Sequence, residues 1–525
     1  MLAVLVAATM LAALARRFDV SAPLALVIAG LAASTLPGLK DVALDPELVL
    51  YVILPPLLWS AGSESSYVAL RKHLRPISLL AVGLPLVTTF AVGIVAFQVV
   101  PELTLAAAFT LGAIVAPPDA VSATAVGRRL GLPRRIMTLL GGESLFNDAT
   151  ALTAYKVALG AAIGIAGSWE LAARTFALAA VGGVALGMGF GALISAIRSR
   201  LDDPVVESAI GLLAPFGIYF VTESVHGSGV IAVVVAALIL GQRSAYAGYA
   251  TRLQDFALWQ SVVLILESFA FLLIGLQLPR VIAELHGIPA TVLIVSSAAV
   301  FATVIVVRLV WMYLFAYVPR LVWRRLRESE PALPPSQVFI LGWAGMRGVV
   351  SLAAAAAVPL TTLSGAPFPG RPHVMFLTFV VVVGTLLLHG LTLPWVIRRL
   401  HVRGDDPEEV RLAAERARDR ATRAASDRLD ELLADAAQSD LPERASEILK
   451  HWNTRRIHRT WDRLSRPAEE LGEDLTASLH HLLLEMLAAE RKTYIEERDA
   501  GRIDDETLRT MLRSLDFEEA TLNSR

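Results

Sequence analysis

The feature that most constrains this chain is a succession of long apolar runs, joined by short loops that are basic at every second turn. A membrane span needs about 20 apolar residues. Thirteen candidate spans can be read, at roughly 2–15, 20–37, 48–62, 76–99, 102–127, 134–163, 170–197, 204–223, 228–241, 253–278, 288–318, 336–360 and 373–398. The split between the eighth and ninth rests on the turn His226-Gly227-Ser228-Gly229. Alternate loops hold Arg16 and Arg17; Arg71, Lys72 and Arg75; Arg128, Arg129, Arg134 and Arg135; Arg198 and Arg200; Arg243 and Arg252; Arg320, Arg324, Arg325 and Arg327; and Arg398, Arg399 and Arg403. The intervening loops hold Lys40, Arg174, Arg280 and Arg371. About twenty basic residues against about four is a strong positive-inside bias. It predicts a cytoplasmic C-terminus and, with an odd span count, an N-terminus outside.

Composition agrees. The 525 residues are 55% hydrophobic and 18% charged, with a mean hydropathy of +0.58. That excludes an ordinary soluble protein of this size. Arg16 and Arg17 follow the first apolar run, whereas a signal peptide carries its charge in front. The first segment is therefore expected to stay as a short membrane helix. No cysteine is present, which removes disulfides and cysteine-ligated metals from consideration.

Some spans carry helix breakers. Pro55-Pro56 is expected to interrupt the third and Pro117-Pro118 the fifth, while Gly342, Gly345 and Gly348 cluster in the twelfth. Proline removes a backbone donor and clashes with the preceding turn. Broken helices at membrane depth are tolerated where they line a cavity, and transporters use the freed groups to bind ions. The fifth and twelfth spans sit seven apart, the pattern of two inverted repeats.

Charged groups inside the apolar runs are rare, and an ionised side chain there is costly unless it pairs or serves an ion path. The main ones are Asp119, Glu143, Asp148 and Arg347; Glu223, Glu267 and Arg308 are secondary. Glu143 and Asp148 share the stretch GGESLFNDATA, Gly141–Ala151, with Ser144 and Asn147. On a helix Glu143 aligns with Asn147, and Ser144 with Asp148, because positions four apart are neighbours. Carboxylates, a hydroxyl and freed carbonyls form a hard-oxygen set suited to Na⁺, Li⁺ or K⁺. A carboxylate that binds a cation can bind a proton instead. Arg347 needs an anionic partner, and Glu143 is the expected one, forming a structural brace. Glu267 and Arg308 are expected to pair with each other, and Glu223 to mark a helix end near the outer surface.

After Gly404 the composition turns polar. Helices are expected at roughly 408–437, 442–467, 468–499 and 504–522. The domains are thus 1–403, a transmembrane exchanger, and 404–525, a cytoplasmic helical and regulatory appendage. His480 and His481 are adjacent and point to different helix faces, which argues against a metal pair.

The stretches LPPLLWSAG (Leu54–Gly62), AIVAPPDAVSATAV (Ala113–Val126), GGESLFNDATA and GMRGVVSLAAAAAVPL (Gly345–Leu360) resemble the sodium/proton exchangers of the monovalent cation/proton antiporter family, over about residues 1–400. The resemblance implies an all-α polytopic membrane protein with thirteen helices, inverted repeats, broken crossed helices and a homodimer in the cell membrane. It implies Asp148 as the ion- and proton-binding carboxylate with Asn147 as its partner. It also implies Asp119 and Ser144 as further site residues, so that Na⁺ sits at Asp148, Asp119 and Ser144, and Glu143 with Arg347 as the brace. Many relatives have Thr where this chain has Pro118, which leaves only the Pro118 backbone carbonyl for a contact. Asn before Asp, in place of two Asp, goes with electroneutral exchange. The expected activity is antiport of a monovalent cation, Na⁺ before Li⁺ or K⁺, for H⁺. No enzyme activity, cofactor or nucleic-acid partner is expected. The rival readings are an acidic-lined cation channel and an intramembrane hydrolase using His226 and Ser228, for which no HExxH or GxSxG is present.

Overall fold

A computed structural model describes residues 2–18, 20–36, 45–165, 169–201, 203–322, 332–402, 404–436 and 473–523. Among these the regular structure is helical, and the one strand-like pairing is the isolated bridge Thr361–Pro367. The chain divides into two units. A membrane unit contains residues 1–243 and 256–404; a tail unit contains Ser244–Asp255 and Asp405–Arg525.

In the membrane unit, α1 spans Leu2–Arg17 and α2 Ala22–Ala33. Helix α3, Leu48–Glu64, begins with a π-helical turn at Leu48–Ile53 and continues as α-helix from Leu54. The prolines Pro55 and Pro56 therefore do not interrupt the third span as expected. They fall in the first α-turn, where N–H groups lack helical partners, and the wider turn ahead of them relieves the clash with preceding carbonyls. Helix α4, Leu74–Val99, repeats the device, with a π-helical turn at Leu79–Gly83 just before Pro85.

Next come α5, Leu105–Val115, and α6, Ala120–Arg129. Helix α7, Arg134–Ile163, carries the GGESLFNDATA stretch and ends on Gly164 in the left-handed region, φ 99°. Helices α8, Trp169–Arg198, α9, Pro204–Ser224, and α10, Gly229–Arg243, follow. Asp203 caps α9 by accepting from the Val205 N–H at 2.8 Å, and Pro204 takes its first position. Helix α11 spans Tyr249–Leu276, α12 Ala290–Val322, α13 Pro335–Trp343, α14 Val349–Ala356 and α15 Arg371–Arg399.

Seven helices among the described residues are long and apolar enough to cross a membrane, and α2, α3 and α5 are shorter apolar helices. Packing is close where glycines meet. A Cβ on Gly30 of α2 would lie 2.9 Å from the Gly275 Cα of α11, so the two backbones touch only because both residues lack one.

The tail unit is built from α16, Pro407–Ala436, α17, Glu473–Asp499, and α18, Asp505–Asn523. The helix expected at 442–467 lies outside the described residues. Ala417, Ala421, Ala425 and Leu429 recur every four residues on α16 and are all buried, giving a narrow seam for α17. Ser244–Asp255 belongs to this unit, a grouping that composition did not signal. Ala245 is buried in the core formed by Ala417, Leu487, Tyr494 and Leu512. Arg252 donates to both carboxylate oxygens of buried Asp516, the Nε bond measuring 2.9 Å.

Candidate ion site at the crossing of two broken helices

Two apolar segments lose their helical form part-way along. Between α5 and α6 the chain unwinds at Ala116–Asp119, over Pro117-Pro118. Between α13 and α14 it unwinds at Ala344–Gly348, through the glycine cluster. The two unwound stretches meet through main-chain atoms, with the Asp119 N–H donating to the Met346 carbonyl at 2.7 Å. Asp119 immediately precedes α6 and also abuts Gly348, the residue that opens α14. A Cβ on Gly348 would lie 2.6 Å from the Asp119 Oδ2. The Asp119 carboxylate thus stands at the positive ends of two half-helices.

The negative ends face two arginines. Arg347, 0% exposed, donates from Nε to the Val115 carbonyl at the end of α5 and from Nη1 to Gly345, each at 2.8 Å. Arg308 on α12, 2% exposed, donates from Nε to the Gly342 carbonyl and from Nη2 to Leu341, each at 3.1 Å, at the end of α13. A guanidinium at each C-terminus satisfies orphan carbonyls and offsets the helix dipole.

The brace differs from the expected one. Glu143 pairs with Arg308, not Arg347: Nη1 reaches Oε1 at 2.5 Å and Nη2 reaches Oε2 at 3.0 Å. Arg347 is committed to carbonyls, which the end of α5 and the second unwound stretch supply in place of a carboxylate. The expected Glu267–Arg308 pair is also not formed, because Arg308 is occupied by Glu143. Glu223 stands in the last turn of α9, where it accepts from Lys156 at 2.5 Å and from the Gly229 N–H at 3.1 Å.

A cavity of about 510 Å³ opens beside the crossing. Asp148, Asp119 and Ser144 line it together, with Pro117 of the first break, Gly348 of the second and Val349–Ser351 of α14. Asp148 lies in the middle of α7 and, among the described residues, makes no hydrogen bond or ion pair. Asn147, fully buried, faces the first break instead and donates from Nδ2 to the Pro118 carbonyl at 2.7 Å. It holds the unwound turn against α7. The far wall is α11, through Trp259, Gln260, Val263, Leu264, Glu267 and Phe271. Glu64, Arg16 and Arg128 also line the cavity.

Sequence reasoning did not place Glu267, Glu64 or Ser351 at this cavity. Glu267 stood out as an intramembrane charge, but its wall is fixed by packing between distant helices. Ser351 had only a weak signal, as a hydroxyl four residues after Arg347. His226 and Ser228, the candidate hydrolase pair, form the turn between α9 and α10. His226 adopts φ 61°, and the Ser228 Oγ accepts from the Ile231 N–H at 3.4 Å in the first turn of α10.

Comparison with known proteins points the same way. The family described as sodium/hydrogen exchanger, transmembrane, matches residues 3–399. An uncharacterized Na⁺/H⁺ exchanger of Mycobacterium tuberculosis is 34% identical over 524 residues, covering 97% of this chain and 93% of that protein. A sodium, potassium, lithium and rubidium/H⁺ antiporter of Bacillus pumilus is 32% identical over 383 residues, covering 71% of this chain and 57% of that protein. The sodium proton antiporter MjNhaP1 of Methanocaldococcus jannaschii, solved at pH 8, superposes with a TM-score of 0.58 at 19% identity, covering 76% of this chain and 96% of that one. At that identity the likeness is one of fold.

Proposed function

The chain belongs to the sodium/hydrogen exchanger family, whose members are transporters, and from that premise we propose how it exchanges a monovalent cation for protons across the membrane. Asp148 is the carrier. Among the described residues it is a carboxylate without a hydrogen-bond or ion-pair partner, on the wall of a cavity at the crossing of two broken helices, and this observation carries the reading. Asp119 and Ser144 are the further oxygen ligands. Asn147 fixes the Pro118 carbonyl, which keeps a second lone pair for the ion. Glu143, Arg308 and Arg347 hold the crossing rigid while its carboxylates change charge.

A cation and a proton exclude each other on Asp148, so each passage carries one or the other. Na⁺ is the preferred cation, and the hard-oxygen set also admits Li⁺ and K⁺. The relative from Bacillus pumilus is named for all three and rubidium. Arg16 and Arg128 at the cavity belong to the basic, cytoplasmic set of loops, so this cavity is the inward-facing access route. The further architecture follows the family pattern: thirteen spans, a homodimer in the cell membrane, the N-terminus outside, and the 404–525 appendage in the cytoplasm as a regulatory element.

The test is dequenching of a pH dye in everted vesicles, with Na⁺, Li⁺ and K⁺ added in turn. Saturable, cation-driven proton movement that Asp148→Asn abolishes supports the antiporter. Unsaturable current with no proton coupling would instead identify a channel.

A further inference from the structure

We propose that the hydroxyl of Ser351 is a direct ligand of the transported cation, so that both broken helices contribute oxygen to one ion. The proposal rests on the reading of Asp148 as carrier and adds a residue from the second repeat to the site.

Ser351 sits in the first turn of α14 and is 2% exposed. Its Oγ is buried and has no hydrogen-bond partner among the described residues. A buried hydroxyl normally finds one, and a serine within a helix has an easy choice in the carbonyl four residues back. Other hydroxyls of the membrane helices take it: Thr89 bonds the Pro85 carbonyl at 2.8 Å and Thr153 the Ala149 carbonyl at 2.7 Å. Ser351 follows an unwound segment, so the position four residues back is Arg347, outside the helix.

The place of this hydroxyl is the second observation. Several buried hydroxyls lack partners, among them Thr88, Ser208, Thr222 and Thr378, but none of these lines the cavity. Ser351 lines it, on the same wall as Gly348, against which Asp119 rests. An unmatched buried hydroxyl is costly in an apolar surrounding. A small cation stripped of water gains from each oxygen that replaces its hydration shell. The lone pairs of Ser351 answer both needs at the one point where α14 faces the carboxylates from α5–α6 and α7. With Ser144, it would give the ion one hydroxyl from each side of the crossing.

Ser351→Ala tests this in proteoliposomes. Removing the hydroxyl should raise the apparent KM for Na⁺ about tenfold, the order expected for one polar contact to a charged group. The maximal rate at saturating Na⁺ should fall much less. The thermal stability of the purified variant without Na⁺ should equal or exceed that of the parent, since an unmatched polar atom is lost. Stabilisation by added Na⁺, which reports binding without transport, should shift to about tenfold higher concentration. An unchanged Na⁺ dependence in both assays would overturn the proposal. So would a shifted pH profile with an unchanged Na⁺ KM, which would assign the hydroxyl to the protonated form. Asp148→Asn run in parallel separates the two levels: exchange surviving there would sink the carrier assignment itself, whatever Ser351→Ala does.

Discussion

Arg308 grips Glu143 with two parallel hydrogen bonds of 2.5 and 3.0 Å, and neither residue is more than 2% exposed. The pair links the middle of α12 to α7, one turn before Asp148. Breaking a buried pair by removing one partner typically costs about 3–5 kcal/mol, because the other charge is left unmatched. Glu143→Gln and Arg308→Ala are each expected to lower folded yield and thermal stability by that order. The double variant should cost clearly less than the sum. Additive losses in a thermal double-mutant cycle would show that the contact contributes nothing.

Arg347 is expected to behave differently. Arg347→Ala leaves the Val115 and Gly345 carbonyls without their donors, at about 1–3 kcal/mol for each unmatched group. Its coupling to Glu143 should be much smaller than that of Arg308. Arg347→Lys should not restore the parent stability, since one ammonium does not reproduce the planar fork. Circular dichroism melts of the five variants in the two cycles, and of Arg347→Lys, decide this. A larger coupling of Glu143 to Arg347 than to Arg308 would reverse the assignment of the brace.

Much of this site was legible in the sequence because membrane burial makes each charge conspicuous. Asp119, Ser144 and Asp148 were singled out, and they meet at one cavity. The two breaks were legible from Pro117-Pro118 and the glycine cluster. Pairing was not. Either arginine is long enough to reach Glu143, and both bond main-chain carbonyls; that Arg308 also meets the carboxylate is set by how α12 packs on α7. Pro55-Pro56 misled because local sequence does not announce a π-helical turn that absorbs prolines. The inclusion of Ser244–Asp255 in the tail unit was hidden for a similar reason, since a short loop between apolar runs carries no mark of what packs on it.

Asp148 carries the pH prediction for transport. If protons and cations exclude each other on one carboxylate, protonation removes the cation-binding form. Apparent Na⁺ affinity should therefore weaken as pH falls, approaching about tenfold in KM per pH unit once the group is mostly protonated. Asp148→Asn should fold normally and lose both fluxes. Exchange at near the parent rate in that variant would hand the role to Asp119.

The tail unit should be dispensable for the chemistry, since the described residues that line the cavity all belong to the membrane unit. Truncation after Gly404 should leave exchange measurable while changing its pH dependence. It should also uncover Ala245 and leave Arg252 without Asp516. Hydrogen exchange at 244–255 should accelerate accordingly. Complete loss of exchange in a well-folded truncated protein would argue against a purely regulatory tail.

Acid should loosen that unit first around Glu497. Hydrogen bonds from Arg502 at 2.7 and 2.8 Å, with Arg420 nearby, hold its carboxyl below the ordinary value of 4.5. A depressed folded-state pKa contributes stability that is complete above the unfolded value and disappears as pH falls through the folded one. Protection of α17 and α18 in the full-length protein should therefore drop below about pH 4.5. Glu497→Gln should be less stable at neutral pH and show a flatter acid profile. Identical profiles would remove Glu497 from the account.

The Asp119–Met346 bond is made by backbone atoms alone. Any residue can supply an amide or a carbonyl, except that proline supplies no amide. That one bond is therefore indifferent to the side chains of its two residues, while Asn147, Arg308 and Arg347 secure the stretches on either side of it. Substitutions at Pro118, Ser144 or Ser351 can retune which ion is preferred without dismantling the joint that holds them, so selectivity can drift by single steps while the scaffold persists.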